Sequence, residues 1–571
     1  MLDMMSFPVS ADDRQTVKIS PDNRICVFEG WGTGFSRWAV EAANSKETAD
    51  VASDMLFGDD GLRMNIVRYE LSGGDDPTHD HFLDNEKMSP SWIKNVTNRD
   101  GSITHKIDPS ADSSRLALLK KCADKAAGDL SVELCPTSPP YYMTVSGCTA
   151  GAVYSGQDNL LAGSRGAYGT YLASVAAEMI SRGVNVRSIA PMNEPSSRYW
   201  KAGDTRQEGC HISAGEQQSK LLSAVRSALD KAGLSRILIA SSDECDVKTA
   251  AASYAALSAN AKKITDKINV HSAETADPPF IAAAEKCGKV WITESDGLYN
   301  AGSDAGEMSA ALGLSKRIIA DLQNSGASAW VMWQAVTDKK PDQKNGYLGL
   351  LYKDRTTGKI EATQKYYAFG QFSRYINDSS ALIRVDDDTI AAWDASSDRL
   401  TIVAVNDSSE VRKVRYSTED FGILKGSTVT EVRTSGSISD GEQWSVTDNA
   451  AKLYSSGFDA DLAPNSVTSF VINGVLLLTE GTTGDINGDG FINVTDLSLA
   501  ASHVKSVRCL SDEALLLADV NGDGKVNVSD ISHISAHIKG KRAIVKKSRY
   551  SEDDLITDVE DTTTSDEEDA I

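Results

Sequence analysis

Short apolar runs alternate with amphipathic stretches from residue 24 to about residue 335. Eight of these runs have the length and composition of buried β-strands: residues 24–29, 62–69, 130–135, 184–191, 236–240, 267–270, 289–293 and 328–333. Helical stretches lie between them, for example at 168–182 and 217–231, where apolar residues recur every three or four positions. Eight strands, each followed by a helix, within about 300 residues predict an α/β fold, the parallel (β/α)8 or TIM barrel.

The pattern changes after residue 365. Segments such as 400–406 (LTIVAVN), 411–416 and 467–472 alternate apolar and polar residues, and turn-forming clusters separate them. Alternation with a period of two is typical of strands with one buried face. The region up to about residue 478 is therefore predicted to be an appended antiparallel β-sandwich, and residues 16–19 are predicted to add a strand to it.

An internal repeat follows the sandwich. The segments GDINGDGFINVTDLSLA and ADVNGDGKVNVSDISHI begin 34 residues apart and place oxygen-bearing side chains at loop positions 1, 3, 5, 9 and 12, with glycine at position 6. These side chains are Asp485, Asn487, Asp489, Asn493 and Asp496 in the first repeat and Asp519, Asn521, Asp523, Asn527 and Asp530 in the second. Calcium binds six to eight oxygens in loops of this kind, so we expect two structural calcium ions.

These patterns divide the chain into five parts. Residues 1–25 join the sandwich, 26–364 form the barrel, 365–480 form the sandwich, and 481–541 form the calcium-binding module. The remaining segment, 542–571, is predicted to be disordered, because residues 551–571 contain ten acidic and no basic side chains.

Composition narrows the classes of partner. The 571-residue chain has a net charge of −23, which argues against binding a nucleic acid. No apolar run approaches the roughly 18 residues that cross a bilayer, so no membrane insertion is expected. The eight cysteines form no Cys-x-x-Cys pair, which disfavours a zinc site. We expect most of the cysteines to be free thiols. If a disulfide forms, Cys148 and Cys210 are the candidate pair.

Two carboxylates lie where predicted barrel strands end. Glu194 follows the fourth strand in the segment APMNEP, and Glu294 ends the seventh in VWITES. Functional side chains of such a barrel gather at the carboxyl ends of its strands. Glycoside cleavage requires a pair of carboxylates there, one as proton donor and one as nucleophile, and needs no cofactor. Glu194 and Glu294 are therefore the candidate catalytic residues.

Other strand ends carry residues suited to binding a sugar. Arg68 ends the second strand, where its charge would keep a carboxylate ionised. Asn193 could bind a sugar hydroxyl, and His271 and Trp333 end the sixth and eighth strands. Further candidate sugar platforms, for each of which core packing is an equal alternative, are Trp31, Trp38, Tyr141, Trp200 and Tyr299. Candidate acceptors for substrate hydroxyls are Asp75, Asp76 and Asp243.

Several segments resemble glycoside hydrolase family 30, and its endo-β-1,6-galactanase-like branch in particular. They are GWGTGF (30–35), IVRYELSGGDDPTHDH (66–81), SPPYYMTVSG (138–147), PMNEP (191–195) and QEGC (207–210), within a resemblance that covers about residues 14–478. The resemblance implies that Glu194 is the general acid/base and Glu294 the nucleophile of a retaining mechanism, with carboxyl groups about 5–5.5 Å apart. Glu194 would then need a raised pKa to protonate the leaving oxygen.

Residues 482–541 resemble the type I dockerin module of cellulosomal enzymes, because the last loop ligand is Asp and a single helix follows each loop. The resemblance implies a small all-α, calcium-binding domain that docks onto a cohesin domain of a scaffoldin. In that family, recognition centres on loop positions 10 and 11, here Val494, Thr495, Val528 and Ser529. A calcium sensor is the alternative, but no paired helices would open a groove.

Together these features predict a secreted, retaining endo-β-1,6-galactanase of a cellulosome, acting as a monomeric catalytic unit on arabinogalactan side chains of plant cell walls. A family 30 xylanase, glucuronoxylanase or β-1,6-glucanase is the alternative within the same chemistry. A non-catalytic carbohydrate-binding component and a calcium-regulated adhesion protein are alternatives from other classes. Residues 1–14 lack the pattern of a signal peptide. Because a dockerin is useful only outside the cell, we expect an extracellular protein whose natural start differs from the printed one.

Overall fold

The computed structural model describes residues 14–74, 81–83, 88–126, 130–295, 307–340, 348–477, 483–487, 492–505, 509–544 and 554–557. These residues form a barrel, a β-sandwich and a C-terminal helical module. No helix within these ranges is long and apolar enough to cross a membrane. All eight cysteines lie within these ranges and none of them forms a disulfide there, so the pairing of Cys148 with Cys210 is absent.

Eight parallel strands close into a barrel, which confirms the predicted fold class. After β1 (Gln15–Lys18) and β2 (Arg24–Val27), the barrel strands are β3 (Gly30–Phe35), β4 (Ile66–Leu71), β7 (Ser131–Pro136), β8 (Val186–Ile189), β9 (Leu238–Glu244), β10 (Lys267–Val270), β11 (Val290–Ser295) and β12 (Ala329–Met332). A hairpin outside the ring is formed by β5 (Ile93–Thr97) and β6 (Ile103–Ile107). Pairing of β12 with β3 closes the ring, with Ala329 opposite Gly30.

The first predicted strand, 24–29, is wrong as a barrel strand. β2 pairs antiparallel with a strand of the sandwich, and the barrel instead begins with the glycine-rich β3. Glycine is required there, because a Cβ on Gly32 would lie 2.6 Å from the carbonyl oxygen of Ile66 and one on Gly34 would lie 2.8 Å from that of Trp333. A strand with so few apolar side chains lacks the pattern by which strands are predicted.

Helices surround the ring and bury one face each. They are α1 (Arg37–Ala43), α2 (Lys46–Phe57), α3 (Ser113–Lys125), α4 (Arg165–Ser181), α5 (Glu216–Lys231), α6 (Val247–Ala256), α7 (Ala259–Ile264), α8 (Pro278–Cys287) and α9 (Glu307–Ser325). In α5, buried Leu221, Leu222, Val225 and Leu229 give the three- and four-residue spacing expected of an amphipathic helix. The link to the sandwich is formed by β13 (Val336–Thr337), β14 (Leu351–Lys353), β15 (Ile360–Ala362) and α10 (Gln364–Ser373).

The antiparallel sheets predicted after the barrel are present. Their strands are β16 (Ala381–Asp386), β17 (Thr389–Asp394), β18 (Arg399–Asn406), β19 (Arg412–Ser417), β20 (Phe421–Ile423), β21 (Val429–Ser435), β22 (Glu442–Thr447), β23 (Leu453–Tyr454), β24 (Gly457–Leu462), β25 (Ser466–Asn473) and β26 (Val475–Leu477). One sheet has the order β2-β16-β17-β18-β25-β21-β22 and the other β1-β19-β24-β23, while β20 pairs with β26. Tyr416, Phe458 and Phe470 pack between them with ring centroids 5.3–5.6 Å apart.

Three helices form the C-terminal module: α11 (Val494–Val504), α12 (Asp512–Ala518) and α13 (Val528–Ile538). Both α11 and α13 begin with a capping box, formed by Asn493 with Asp496 and by Asn527 with Asp530. Loop positions 9 and 12 of each repeat therefore lie at the start of a helix. A small core of Ile486, Ala500, Ala518, Val520 and Ile534 holds the helices together.

Part of the predicted disordered tail is paired with the sandwich. Leu555 forms an antiparallel bridge with Leu424. The Lys425 N–H donates to the carbonyl of Asp554 at 2.8 Å, and the Ile556 N–H donates to that of Ile423 at 2.8 Å. The prediction of disorder from residue 542 onwards is thus wrong for residues 554–557, because backbone groups beside β20 accept them as an added strand.

One largely buried carboxylate, that of Glu29, links several strands at the N-terminal end of the barrel; its side chain is 11% exposed. It accepts hydrogen bonds from Lys289 Nζ at 2.8 Å, Trp291 Nε1 at 2.6 Å and Ser328 Oγ at 2.7 Å, and it pairs with Arg187. These partners belong to β8 and to the starts of β11 and β12. Burial would raise the pKa of Glu29, but the charges of Lys289 and Arg187 outweigh it and lower the pKa to about 2.

Replacing Glu29 with Gln is expected to lower the free energy of unfolding by about 3 kcal/mol at pH 7, since the folded state favours the ionised carboxylate. The folded pKa lies below the ordinary value of 4.5, so this stabilisation is present above pH 4.5 and is lost as the pH falls towards 2. Urea unfolding of wild type and Glu29→Gln should therefore differ at pH 7 and converge near pH 2. The exposed Glu216→Gln is the control, and a difference that persists at pH 2 contradicts the prediction.

Candidate active site

A buried arginine lies at the centre of the barrel mouth. Arg68, on β4, is 3% exposed. Its Nη1 is 2.5 Å from Glu294 Oε2, and its Nη2 is 2.6 Å from Asp243 Oδ2 and 2.8 Å from Asn193 Oδ1. Burial opposes the charge, but Asp243, Cys135 and Glu294 outweigh it and hold the pKa of Arg68 well above its usual value. The guanidinium is thus a permanent cation that joins β4, β9, β11 and the segment after β8.

The two candidate catalytic glutamates both lie beside the imidazole of His271. Glu294 lies on β11 with its side chain 22% exposed, and Glu194 lies beyond the end of β8 and is 9% exposed. His271, which follows β10, lies with Nδ1 3.3 Å from Glu194 Oε1 and Nε2 3.7 Å from Glu294 Oε2. The fold therefore brings both glutamates, His271 and Arg68 into one cluster, although they are separated by up to 226 residues.

The backbone is strained at the same place. Glu194, Ser242 and Asp243 adopt left-handed conformations with φ of 43°, 65° and 52°. None of them is glycine, so each conformation costs on the order of 1 kcal/mol or more. The Glu194 N–H donates to the Asp243 carbonyl at 2.8 Å, which holds the two strained segments together. Strain of this kind clusters at functional sites.

His271 is a cation at neutral pH. Burial would lower its pKa, but the neighbouring carboxylates of Glu294, Asp243 and Glu194 raise it to about 10. Its Nε2 also lies 3.6 Å from Asp243 Oδ1. The cations of His271 and Arg68 therefore lie against three carboxylates of the mouth, those of Glu194, Asp243 and Glu294.

Several side chains hold Glu194 in addition to His271. The Cys245 thiol donates to Oε1 at 2.9 Å, the Tyr199 hydroxyl donates to Oε2, and Trp200 Nε1 donates to the Glu194 backbone carbonyl at 3.0 Å. Burial raises the pKa of Glu194, but the hydrogen bonds from His271 and Cys245 outweigh it and lower the pKa below its ordinary value. The expectation of a raised pKa is therefore wrong for this arrangement, in which the imidazole holds the proton.

Three adjoining cavities open around Trp333, the residue after β12. The acid-side cavity, of about 410 Å3, is lined by Glu194 and Glu294 among others. The nucleophile-side cavity, of about 70 Å3, is lined by Arg68, Asn193 and Glu294. The outer cavity, of about 280 Å3, lies beyond it. Because Trp333 lines all three, they form one cleft across the mouth.

A larger cavity, of about 840 Å3, lies between α9 and the sandwich. None of its described lining residues is aromatic, and its Lys316 is paired with Asp407 at 2.7 Å and Asp388 at 3.2 Å. Its lining includes neither Glu194 nor Glu294, so the cleft and not this larger cavity is the candidate active site.

The predicted sugar platforms take different positions. Trp333 lines the acid-side cavity, as does Trp200. Trp200 is wrong as a platform, because it is 2% exposed and its Nε1 donates to the Glu194 backbone carbonyl. Trp31 is wrong as a platform, because it is 2% exposed and packs in the core between the barrel and α10. Trp38 is 5% exposed and donates to the Gly34 carbonyl, so only part of its surface reaches the outer cavity. The Tyr141 hydroxyl bonds Asn95 on β5, and its ring lines none of the three cavities.

Some predicted residues cannot serve as expected or lie elsewhere. Asp243 is wrong as a substrate ligand, because it is 1% exposed and its oxygens bind Arg68 at 2.6 Å and Thr293 Oγ1 at 2.8 Å. Four further predicted residues lie outside the described residues: Tyr299, Asp75, Asp76 and the calcium ligand Asp489.

Sequence reasoning missed two partners of Glu194. Tyr199 lies five residues after it, so its nearness in the chain was an available signal. Cys245 follows β9 directly, which is the carboxyl end of the fifth barrel strand. Functional side chains are expected at such strand ends, but a thiol is not a residue type that indicates glycoside cleavage.

The loops of the C-terminal module suit calcium. Asp485 is 5% exposed, and Asp496 and Asp530 are fully buried where α11 and α13 begin. In the second loop, the Gly524 N–H donates to Asp519 Oδ2 at 2.7 Å, which turns the loop around its first carboxylate. Among the described residues, no group of three or more His, Cys, Asp or Glu side chains is arranged to hold a metal ion. Asparagine and backbone oxygens would complete a calcium ligand set in these loops.

Comparison with known proteins identifies two regions. Residues 118–275 match O-Glycosyl hydrolase family 30, and residues 483–539 match the Dockerin type I domain. An endo-beta-1,6-galactanase of Hypocrea rufa is 27% identical over 484 residues, which cover 81% of this chain and 95% of that protein. An exo-beta-1,6-galactobiohydrolase of Bifidobacterium longum subsp. longum is 22% identical over 423 residues, which cover 57% of this chain and 28% of that protein.

The solved structures show the same architecture. The catalytic domain of GH30 xylanase C from Talaromyces cellulolyticus has a TM-score of 0.59 and 18% identity, over 80% of this chain and 100% of that chain. At this identity the likeness shows the fold, a barrel with the appended sheets.

Replacing His271 with Gln is expected to raise the pKa of Glu194 above its ordinary value. Without the imidazolium, burial and the Asp243 charge disfavour the ionised carboxylate. An NMR titration of 13C-carboxyl-labelled glutamate measures this pKa, with Glu194→Gln to assign the signal. His105→Gln, on β6 outside the cleft, should leave the titration unchanged. A Glu194 pKa that does not move in His271→Gln contradicts the proposed charge pairing.

Proposed function

We propose that this chain, which contains a family 30 glycoside hydrolase domain joined to a type I dockerin domain, is a secreted, retaining endo-β-1,6-galactanase of a cellulosome. It cleaves the galactan side chains of plant arabinogalactan. The observation that carries the proposal is the pair of glutamates in the cleft, one bound to Arg68 and the other to His271. The likeness to the Hypocrea rufa protein, named for action on β-1,6-galactan, supports the substrate.

Glu294 is the nucleophile. Its ion pair with Arg68 stabilises the ionised carboxylate, and it lines both the acid-side and the nucleophile-side cavity. The carboxylate attacks the anomeric carbon, so that an ester bond to the sugar forms while the bond to the leaving oxygen breaks. The electron pair of the broken bond goes to that oxygen, which must receive a proton.

Glu194 delivers this proton as general acid. The His271–Glu194 pair holds one proton at neutral pH, which rests on the imidazole, 3.3 Å from Glu194 Oε1. As negative charge develops on the leaving oxygen, the proton of His271 passes to Glu194 and Glu194 donates its proton to that oxygen, which leaves the imidazole neutral. In the second step Glu194 takes a proton from water and returns it to His271, while the water oxygen bonds to the anomeric carbon and the ester bond to Glu294 breaks, with net retention. The expected carboxyl separation of about 5–5.5 Å is part of this proposal.

The lining of the cleft sets the direction of the substrate. Glu194 lines only the acid-side cavity, which would therefore hold the leaving group, whereas Arg68 and Asn193 line only the nucleophile-side cavity. Asn193 accepts from Arg68 through Oδ1, which leaves its amide hydrogens to donate to the 2-hydroxyl of the attacked sugar. Trp333 offers its indole face to the sugar rings.

The dockerin domain attaches the enzyme to a cohesin domain of a scaffoldin, outside the cell. Val494 and Val528 are 62% and 65% exposed at the starts of α11 and α13, beside Thr495 and Ser529. Large apolar side chains this exposed indicate an interaction surface, and the repeat presents two equivalent pairs of them. The catalytic domain acts as a monomer.

One calcium ion in each loop would hold the helix start that presents these side chains. The ligands proposed for the first ion are Asp485, Asn487, Asp489, Asn493 and Asp496, and those for the second are Asp519, Asn521, Asp523, Asn527 and Asp530. Each loop thus combines charged and neutral oxygens, which is the donor set that calcium prefers.

The wild-type protein is expected to release β-1,6-linked galacto-oligosaccharides from debranched arabinogalactan and from β-1,6-galactan. The isosteric variant Glu294→Gln removes the nucleophile, so hydrolysis should fall at least 10⁴-fold while binding of the polysaccharide persists. Product analysis by chromatography on those two substrates, glucuronoxylan and β-1,6-glucan is the measurement. Products from xylan or glucan alone contradict the galactanase assignment, and equal activity of Glu294→Gln contradicts the mechanism. Binding without products from any substrate would favour a non-catalytic carbohydrate-binding protein.

Chelation of calcium with EGTA should abolish binding to a type I cohesin and leave galactan hydrolysis unchanged, because the proposed ligands all lie outside the barrel. Isothermal titration of the full chain with cohesin, with and without EGTA, measures the first effect. The double variant Val494→Asp with Val528→Asp should lose cohesin binding without losing calcium. Cohesin binding at full affinity in EGTA would rule out the calcium-dependent dockerin.

A further inference from the structure

A further carboxylate of the cleft, Glu70, has no role in the mechanism above. It lies on β4 two residues after Arg68, so both side chains leave the strand on the same, inward face. Glu70 lines the nucleophile-side cavity together with Arg68, Asn193 and Glu294. Because this cavity has a volume of only about 70 Å3, any group that enters it contacts the side chains of its walls.

The hydrogen bonds of Glu70 leave most of its acceptor capacity unused. Among the residues that the structure describes, its carboxylate accepts one long bond, from Ser89 Oγ at 3.4 Å. Glu70 is half-buried. An ionised carboxylate offers about four lone-pair positions, and leaving them unfilled is costly where water is partly excluded. Arg115 approaches this region, but its Nη2 donates to the Glu70 backbone carbonyl at 3.0 Å.

Glu208, another carboxylate that lines the same cavity, has the hydrogen bonds expected of a structural residue. Glu208 is 3% exposed and accepts from Ser72 Oγ at 2.7 Å, from the Gly73 N–H at 3.0 Å and from Thr137 Oγ1 at 2.5 Å. Its partners fully explain its burial, since they tie its loop to the end of β4. Glu70 lacks such a set, although both residues line one cavity.

We propose that Glu70 binds a hydroxyl group of the glycone, the sugar that Glu294 attacks, and so selects which sugar is cleaved. This inference rests on the proposed function, because the nucleophile-side cavity holds the glycone only if Glu294 is the nucleophile and Glu194 the acid. The free oxygens of Glu70 accept hydrogen bonds from the sugar, which replace the water that burial removes. Burial and the nearby Glu294 raise the pKa of Glu70 to about 7, against the charges of Arg68 and Arg115. A hydroxyl group that donates to Glu70 therefore stabilises the ionised carboxylate at neutral pH, where this raised pKa otherwise favours its protonation.

The test combines variants with altered substrates. The substrates are dinitrophenyl β-glycosides of 1,6-linked galactobiose whose galactose next to the leaving group is intact or lacks its 2-, 3- or 4-hydroxyl. For the intact substrate, Glu70→Ala is expected to lower kcat/KM about 10- to 100-fold, the range for a hydrogen bond to a charged group. For one deoxy substrate the wild type should lose a similar factor, and Glu70→Ala should lose nothing further.

Two further variants keep the result interpretable. Glu70→Gln retains the shape and one acceptor, so it should recover part of the lost rate on the intact substrate. Glu216→Ala, at the exposed start of α5, should behave as wild type on all substrates. Equal losses of Glu70→Ala on every substrate, including each deoxy sugar, would show a merely structural role and overturn the inference, as would unchanged kinetics.

Failure of the proposed function has a different signature. A wild-type protein that cleaves no galactobioside but cleaves xylan or glucan contradicts the galactanase assignment alone. The same comparison of wild type and Glu70→Ala, made with intact and deoxy derivatives of that sugar, then tests the role of Glu70.

Discussion

The barrel mouth depends on the burial of one cation, the guanidinium of Arg68. A charge removed from water is stable only when acceptors surround it. Asp243, Glu294, Asn193 and the Cys135 sulfur supply them from four neighbouring parts of the barrel. Because each acceptor must stay within hydrogen-bond distance, the orientation of the candidate nucleophile follows from the same contacts that keep the centre of the barrel folded.

A second buried ion pair lies below the first. Lys267 Nζ is 2.6 Å from Glu133 Oε2 and 2.9 Å from the centre of the Trp291 ring. Asn269 and Ser188 donate to the remaining oxygen positions of Glu133. Burial lowers the pKa of Lys267 to about 8 although Glu133 opposes the change. Charges of alternating sign therefore extend from the barrel interior to the mouth, and each charge in these two ion pairs has a partner of opposite sign.

Much of the fold and part of the site could be predicted from the chain. Glu194 and Glu294 were found because parallel strands end at one face, whatever the distance between them in sequence. Trp31 was misjudged because an indole in a strand looks the same whether it faces sugar or core, and β3 was missed because its glycines carry no hydrophobic pattern. Tail residue Leu555 pairs through its backbone, which an acidic composition does not reveal.

The sequence by itself determined the barrel, the sandwich, the repeated calcium loops and the two catalytic candidates, because these depend on periodicity, spacing and residue type. Only the tertiary structure decided which charges and hydrogen bonds surround the carboxylates of the cleft. It placed His271 between Glu194 and Glu294 and gave Glu194 the Cys245 thiol as a donor. It also left Glu70, in a small cavity, with one long hydrogen bond from Ser89 among the described residues. The physical reason is that a pKa or a free acceptor depends on distances of a few ångströms between residues far apart in the chain, and no local pattern encodes those distances.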